Sequence, residues 1–126
     1  MTRRSQLEAA LPTALGLPVY RNGIIPPGDS PPWIIWTIRE TAHSESEAPV
    51  LNGFSLLLEA RIVAETPLRV DLAAESLLSQ VTGHSLPGVI PLRVRDDTGS
   101  YLADFSDTNT GLPFSMRLLR WTTEWA

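Results

Sequence analysis

FSLLLEARIVAETPLRVDLAAESLLSQVTG, residues 54–83, changes its hydrophobic period partway along, and that change decides what kind of fold the chain builds. Over 53–65 the apolar set Phe54, Leu56, Leu58, Ala60 and Ile62 alternates with Ser55, Leu57, Glu59, Arg61 and Val63. That two-residue period is the mark of a strand with one face on a core. At Thr66-Pro67 the period switches. A threonine before a helix can accept from a free N–H of the first turn, and a proline fits that turn because its missing N–H would have no partner there. Val70, Ala73, Ala74, Leu77, Leu78 and Val81 then recur at helical spacing until Gly83, which predicts a helix between strands.

Upstream, WIIWTIRE at 33–40 reads as a second strand from its β-branched and aromatic content. Trp33, Ile35 and Thr37 face one way, Ile34, Trp36 and Ile38 the other. Both faces are largely apolar, so the core should cover one and something else the other. PPGDSPP at 26–32 leads into this strand. Proline fixes φ and offers no backbone donor, so the segment cannot sit inside a sheet and should cross the surface. LPVYR at 17–21 is short and extended, and Asn22-Gly23 signals a tight turn. At the start, Ser5 and Glu8 form a capping-box pattern, with Leu7, Ala10, Leu11 and Ala14 near helical spacing. A short first helix is predicted within 2–15, stopped by Gly16. TAHSESEAPVLNG at 41–53 is polar and acidic and reads as a long hairpin loop.

Downstream, GVIPLRVRD at 88–96 predicts a strand in which Pro91 marks an edge or bulge. Asp97, Thr98 and Gly99 predict a turn, after which SYLADFSD returns as another strand. TNTG turns again, and PFSMRLLRWTTEW at 113–125 predicts a long strand. No internal repeat or boundary divides the chain, so residues 1–126 are read as a single domain. The expected architecture is α+β: a mostly antiparallel sheet with two helices packed on one face. A mixed sheet with a right-handed βαβ crossover is the alternative.

Composition narrows the function classes. A chain of 126 residues that is 43% hydrophobic and 19% charged belongs with folded domains. At this size roughly two-thirds of the unfolded chain's surface can be buried. There is no cysteine, which removes disulfide and thiolate chemistry. No run approaches the ~20 apolar residues of a membrane span, and the N-terminus lacks a signal-peptide core, so a soluble, unprocessed protein without a membrane partner is expected. All ten basic residues are arginine, dispersed along a chain of net charge −4. No basic stripe is visible, and sequence-specific nucleic-acid binding is not expected.

Candidate chemistry is sparse. His43 with Glu45 and Glu47 has metal-ligand residue types, yet it holds one imidazole and reads better as a solvated acidic loop; no metal is expected. His84, after Gly83, suits the negative end of a helix dipole. It could instead pair with Asp71 or Asp97 as an acid and base in a small-ligand or enzymatic domain, but no nucleophile motif accompanies it. Asp96-Asp97 fits Asx-turn chemistry better than a catalytic carboxylate pair. GxGxxG and P-loop patterns are absent, and in PPGDSPP the proline pairs do not have PxxP spacing. No cofactor and no enzymatic activity are expected.

The four tryptophans leave two readings open. Trp33, Trp36, Trp121 and Trp125 could all belong to a two-layer core. Alternatively, indoles and arginines could form a surface buried against a partner, since Trp and Arg are enriched in interface hot spots. The interface candidates are Trp33, Trp36, Arg39, Glu45, Glu47, Arg61, Arg117, Arg120 and Trp121.

The layout as a whole, a short first helix, PVYRNGIIP, PPWIIW, FSLLLEARIVAE, the helix PLRVDLAAESLLSQVTG and closing strands ending MRLLRWTTEW, resembles tail terminator and minor tail (tail-completion) proteins of long-tailed bacteriophages. The resemblance implies an α+β fold and a homo-oligomeric ring, typically a hexamer. Such a ring caps the finished tail tube, stops its polymerisation and offers a docking surface to the head–tail connector protein. The partners implied are further copies of the chain, the tail tube protein and the connector. The place implied is the virion tail or neck, reached from the host cytoplasm during assembly. The loop at 41–53 would lie near ring contacts. Head-to-tail connector proteins of similar fold are the neighbouring alternative. A ring needs two different patches that meet head to tail, and the apolar strand at 33–38, the acidic loop and the arginines at 61, 117 and 120 are candidates to supply them.

Overall fold

The computed structural model describes residues 11–21, 25, 28–42, 54–83 and 92–125. Their elements run β1 (Val19–Arg21), β2 (Trp33–Ala42), β3 (Phe54–Ala64), α1 (Pro67–Val81), β4 (Arg93–Asp97), β5 (Tyr101–Ser106) and β6 (Pro113–Trp125). The change of period at Thr66 is where strand gives way to helix. Thr66 Oγ1 accepts from the Arg69 N–H at 3.2 Å, Pro67 occupies the first turn, and Glu65 pairs with Arg69 at 3.0 Å.

All six strands form one sheet in the order β1-β2-β3-β6-β4, with β5 also paired to β6. β1 is parallel to β2, and the other pairings are antiparallel. β3 and β4 both run antiparallel to β6 and flank it, so they are parallel to each other and α1 carries the chain across β6. β3 occupies one side of β6 from Ser115 to Trp125, which leaves β4 and β5 to share the other.

Two expectations are overturned here. The first is the fold class, an α+β sheet with two helices packed on one face. Strand far outweighs helix, the sheet is mixed, and α1 is the single helix among the described residues. Most of the segment expected to form a first helix, residues 2–10, lies outside the described residues, and residues 11–16 are not helical. Their carbonyls have other uses. Pro12 O accepts from Trp36 Nε1 at 3.2 Å, Thr13 O accepts from Gln80 Nε2 at 3.2 Å, and Ala14 O closes a turn onto Leu17 N at 3.0 Å. Leu15 and Gly16 take left-handed φ values of 54° and 67°, which no helix continues through.

The second is the reversal expected at Asp97-Thr98-Gly99. Gly99 N does donate to Asp97 Oδ1 at 2.9 Å, the Asx-turn contact read from sequence. The chain nevertheless keeps its direction. Arg93 to Asp97 descends β6 from Thr122 to Leu119, and Tyr101 to Ser106 continues from Met116 to Pro113. β4 and β5 are thus two halves of one interrupted edge. Thr98 spans the gap: its N–H donates to Leu118 O at 3.1 Å, and its Oγ1 accepts from Leu118 N at 3.0 Å in place of a strand carbonyl. The reversal into β6 comes later, at Asp107–Leu112, where Asp107 N donates to Leu112 O at 2.8 Å.

The core has two parts, one on each side of β2. On the helix side, Ile34, Trp36 and Ile38 meet Leu56, Leu58, Ala60, Ile62, Leu119 and Trp121 beneath the α1 stripe Val70, Ala73, Ala74, Leu77 and Val81. On the other side, Trp33, Ile35, Val63, Ala103 and Phe114 form a smaller cluster, joined by Tyr20, Ile25 and Met116. Trp33 and Ile35, on the second apolar face of β2, are therefore buried within the chain itself, in a cluster with Tyr20, Ile25 and side chains of β3, β5 and β6. The proline-containing connection before β2 has a cis peptide at Pro31–Pro32, and the Tyr20 hydroxyl donates to Asp29 within it.

Candidate functional site

The side of the sheet away from α1 divides by register into rows. Trp33, Val63, Met116 and Tyr101 form an apolar row. Ile35, Arg61 and Leu118 follow, then Thr37, Glu59, Arg120 and Asp96, then Arg39, Leu57, Thr122 and Arg93. Apolar character fades and arginine accumulates along this direction. The third row is internally paired: Arg120 holds Glu59 at 3.1 Å and Asp96 at 3.6 Å, and Arg61 reaches Glu59 at 3.7 Å. Arg39 and Arg93 make no ion pair with a described side chain.

On the helix side, Arg117 is the central charge. Its side chain is 13% exposed and forks between two elements, reaching Asp97 of β4 at 2.6 Å and Asp71 of α1 at 3.0 Å. The guanidinium hydrogen bonds hold the Asp97 carboxyl below the ordinary aspartate range, and Asp97 with Asp71 raises the affinity of Arg117 for its proton. Ser100 Oγ also reaches Asp71, at 3.5 Å. The cluster fastens the helix to the edge strand through β6, which is a structural task.

The proposed interface residues are thus dispersed. Trp36 and Trp121 lie in the helix-side core, and Trp33 lies in the smaller cluster. Trp33 Nε1 has no acceptor among the described residues, and the ring is met edge-on by Tyr20 at 5.9 Å. Arg117 and Arg120 are engaged within the chain, while Arg39 and Arg61 are exposed. Glu45, Glu47, His43, His84 and the 43–53 loop lie outside the described residues. Among the described residues no group of three His, Cys, Asp or Glu could hold a metal ion, and no helix is long and apolar enough to cross a membrane.

The surface that sequence reasoning missed is the free side of β5. Tyr101, Leu102 and Phe105 are 43%, 66% and 39% exposed, and Leu112 in the following turn is 65% exposed. Among the described residues β5 pairs with β6 alone. Sheet edges are usually blunted by charge or proline, because unpaired N–H and C=O groups invite another strand. The β4 half of this edge follows that rule with Arg93, Arg95, Asp96 and Asp97; the β5 half carries one charge, Asp104, among apolar residues. A signal was present in YLADF, where apolar residues fall on both strand faces, but reading it required knowing that the strand lies at an edge.

No family model, curated protein or solved structure matches this chain.

Proposed function

We propose that this chain is a structural subunit that associates with copies of itself into a ring and caps a phage tail tube, ending tube growth and presenting a surface to the head connector. The observation that carries the reading is the exposed apolar edge at β5, where Tyr101, Leu102 and Phe105 are left uncovered among the described residues. An apolar strand edge of this kind is a ready site for another strand.

The test has two arms. Light scattering behind size exclusion, over a concentration series, should give a discrete oligomer of defined stoichiometry. Sedimentation with purified tail tubes should bring the protein down at tube ends and block further tube elongation. A monomer at every concentration that neither sediments with tubes nor affects their growth sinks the reading.

A further inference from the structure

We infer that β5 of one copy takes β1 of a second copy as its next strand, so that the sheet continues from subunit to subunit; this specifies the self-association proposed above and rests on it. β1 and β5 stand at opposite edges of the sheet, and each pairs with one neighbour among the described residues. Their directions fit. β1 runs parallel to β2, β2 is antiparallel to β3, β3 to β6 and β6 to β5. Two copies placed edge to edge with both helices on the same side therefore bring β1 antiparallel to β5, the geometry that pairs more stably. The contact joins two different patches, so it repeats and can close into a ring.

Side-chain chemistry selects one register. Tyr20 packs with the cluster on the helix-free side, and Phe105 contacts Phe114 of the same cluster, ring to ring at 5.4 Å. Arg21, opposite the helix-side Trp36, falls on the other side, and so does Asp104, which stands between Ala103 and Phe105 in the stretch where β5 shifts register against β6. Setting Arg21 of one copy opposite Asp104 of the next sets Tyr20 opposite Phe105 and Val19 opposite Ser106. An ion pair and an aromatic pair thus arise from the same alignment, each a recognised cross-strand stabiliser. Arg21 and Asp104 are both exposed, and neither makes an ion pair with a described residue.

The chain lacks cysteine, so disulfide trapping is clean. Val19→Cys combined with Ser106→Cys leaves the ion pair and the aromatic pair intact. Under mild oxidation this double variant should give a ladder of linked dimers, trimers and larger species, while neither single variant does. Circular dichroism confirms that each variant is folded. A reversed pair, Arg21→Asp with Asp104→Arg, should assemble as the wild type does, whereas each single reversal weakens assembly at least tenfold. Linked dimers from Ser106→Cys alone mean that β5 pairs with its own symmetry mate, and the inference fails. Absence of linking in the double variant, with oligomers still seen by light scattering, also overturns it and leaves the ring reading standing on another surface. A wild-type monomer that ignores tail tubes overturns both.

Discussion

The indole rings of Trp36 and Trp121 lie 5.9 Å apart, tilted by 32°, although β3 separates their strands. They meet over Ala60 and Leu58: Trp36 is opposite Ala60, and Trp121 is opposite Leu58. The small side chain at Ala60 leaves the space the two rings occupy. Replacing either tryptophan with alanine is expected to lower unfolding free energy by about 3–5 kcal/mol. Ala60→Leu should cost about 1–3 kcal/mol by overpacking the same place. Urea denaturation followed by circular dichroism measures both.

Arg117 is expected to resist conservative replacement. Lysine keeps the charge but lacks the planar fork that reaches Asp71 and Asp97 together, so Arg117→Lys should cost about 1–2 kcal/mol. The pair also gives a pH signature. Asp97 binds its proton less readily folded than unfolded, so its contribution is complete above the unfolded value of about 3.9 and fades as pH falls toward the lower folded value. The difference in melting temperature between wild type and Asp97→Asn should be constant near neutrality and shrink below about pH 4. A difference that grows with acidification would contradict this.

Both ends of α1 are secured by threonines. Thr66→Ala removes the acceptor for Arg69 N and should cost about 1 kcal/mol. At the other end Thr82 Oγ1 accepts from Trp121 Nε1 at 3.1 Å. Thr82→Val keeps the shape but leaves a buried indole N–H without that acceptor, at an expected cost of about 1–3 kcal/mol. Thermal unfolding of the two variants distinguishes a cap from a core anchor, because the second should be the more damaging.

Thr98→Val should loosen the join between β4 and β5. Without the hydroxyl, Leu118 N–H loses its partner, and its hydrogen exchange should quicken relative to the amides of β3. Unchanged protection at Leu118 would mean that the join does not depend on the hydroxyl.

Arg39 and Arg61 separate association from folding. Both are exposed, and among the described residues Arg61 reaches only Glu59, at 3.7 Å, so Arg39→Ala and Arg61→Ala should each stay within about 0.5 kcal/mol of wild type. Any loss of tube binding in these two variants then reports on docking, which is not so for variants at Arg117 or Arg120.

Local signals in the sequence carried the strand and helix pattern well. The switch of period at Thr66-Pro67 reflects chain-local geometry, and both apolar faces of WIIWTI are buried. What was not legible is which strands meet. Asp97-Thr98-Gly99 has real turn chemistry, yet that chemistry sets the conformation of a few residues and not the destination of the next strand. Arg117 looked like a surface group because its partners, Asp71 and Asp97, are distant in the chain and become neighbours only through β6 pairing. The helical spacing read at the start does not extend through residues 11–16, where carbonyls are committed to Trp36 and Gln80; Ser5 and Glu8 lie outside the described residues. The free edge of β5 is a property of the assembled sheet, and no window of residues contains it.

β6 is the middle of the sheet yet comes after every strand it joins. During synthesis at about 5–20 residues per second, α1 and its cap can form from what has already emerged, but β3, β4 and β5 must wait with bare edges until residues 113–125 arrive. Those edges include Leu102 and Phe105, so a nascent chain has more than one strand able to recruit a neighbour prematurely. Translation arrest before residue 113 is therefore expected to yield chains held by chaperones or aggregated, whereas release just beyond β6 lets the sheet close in one step.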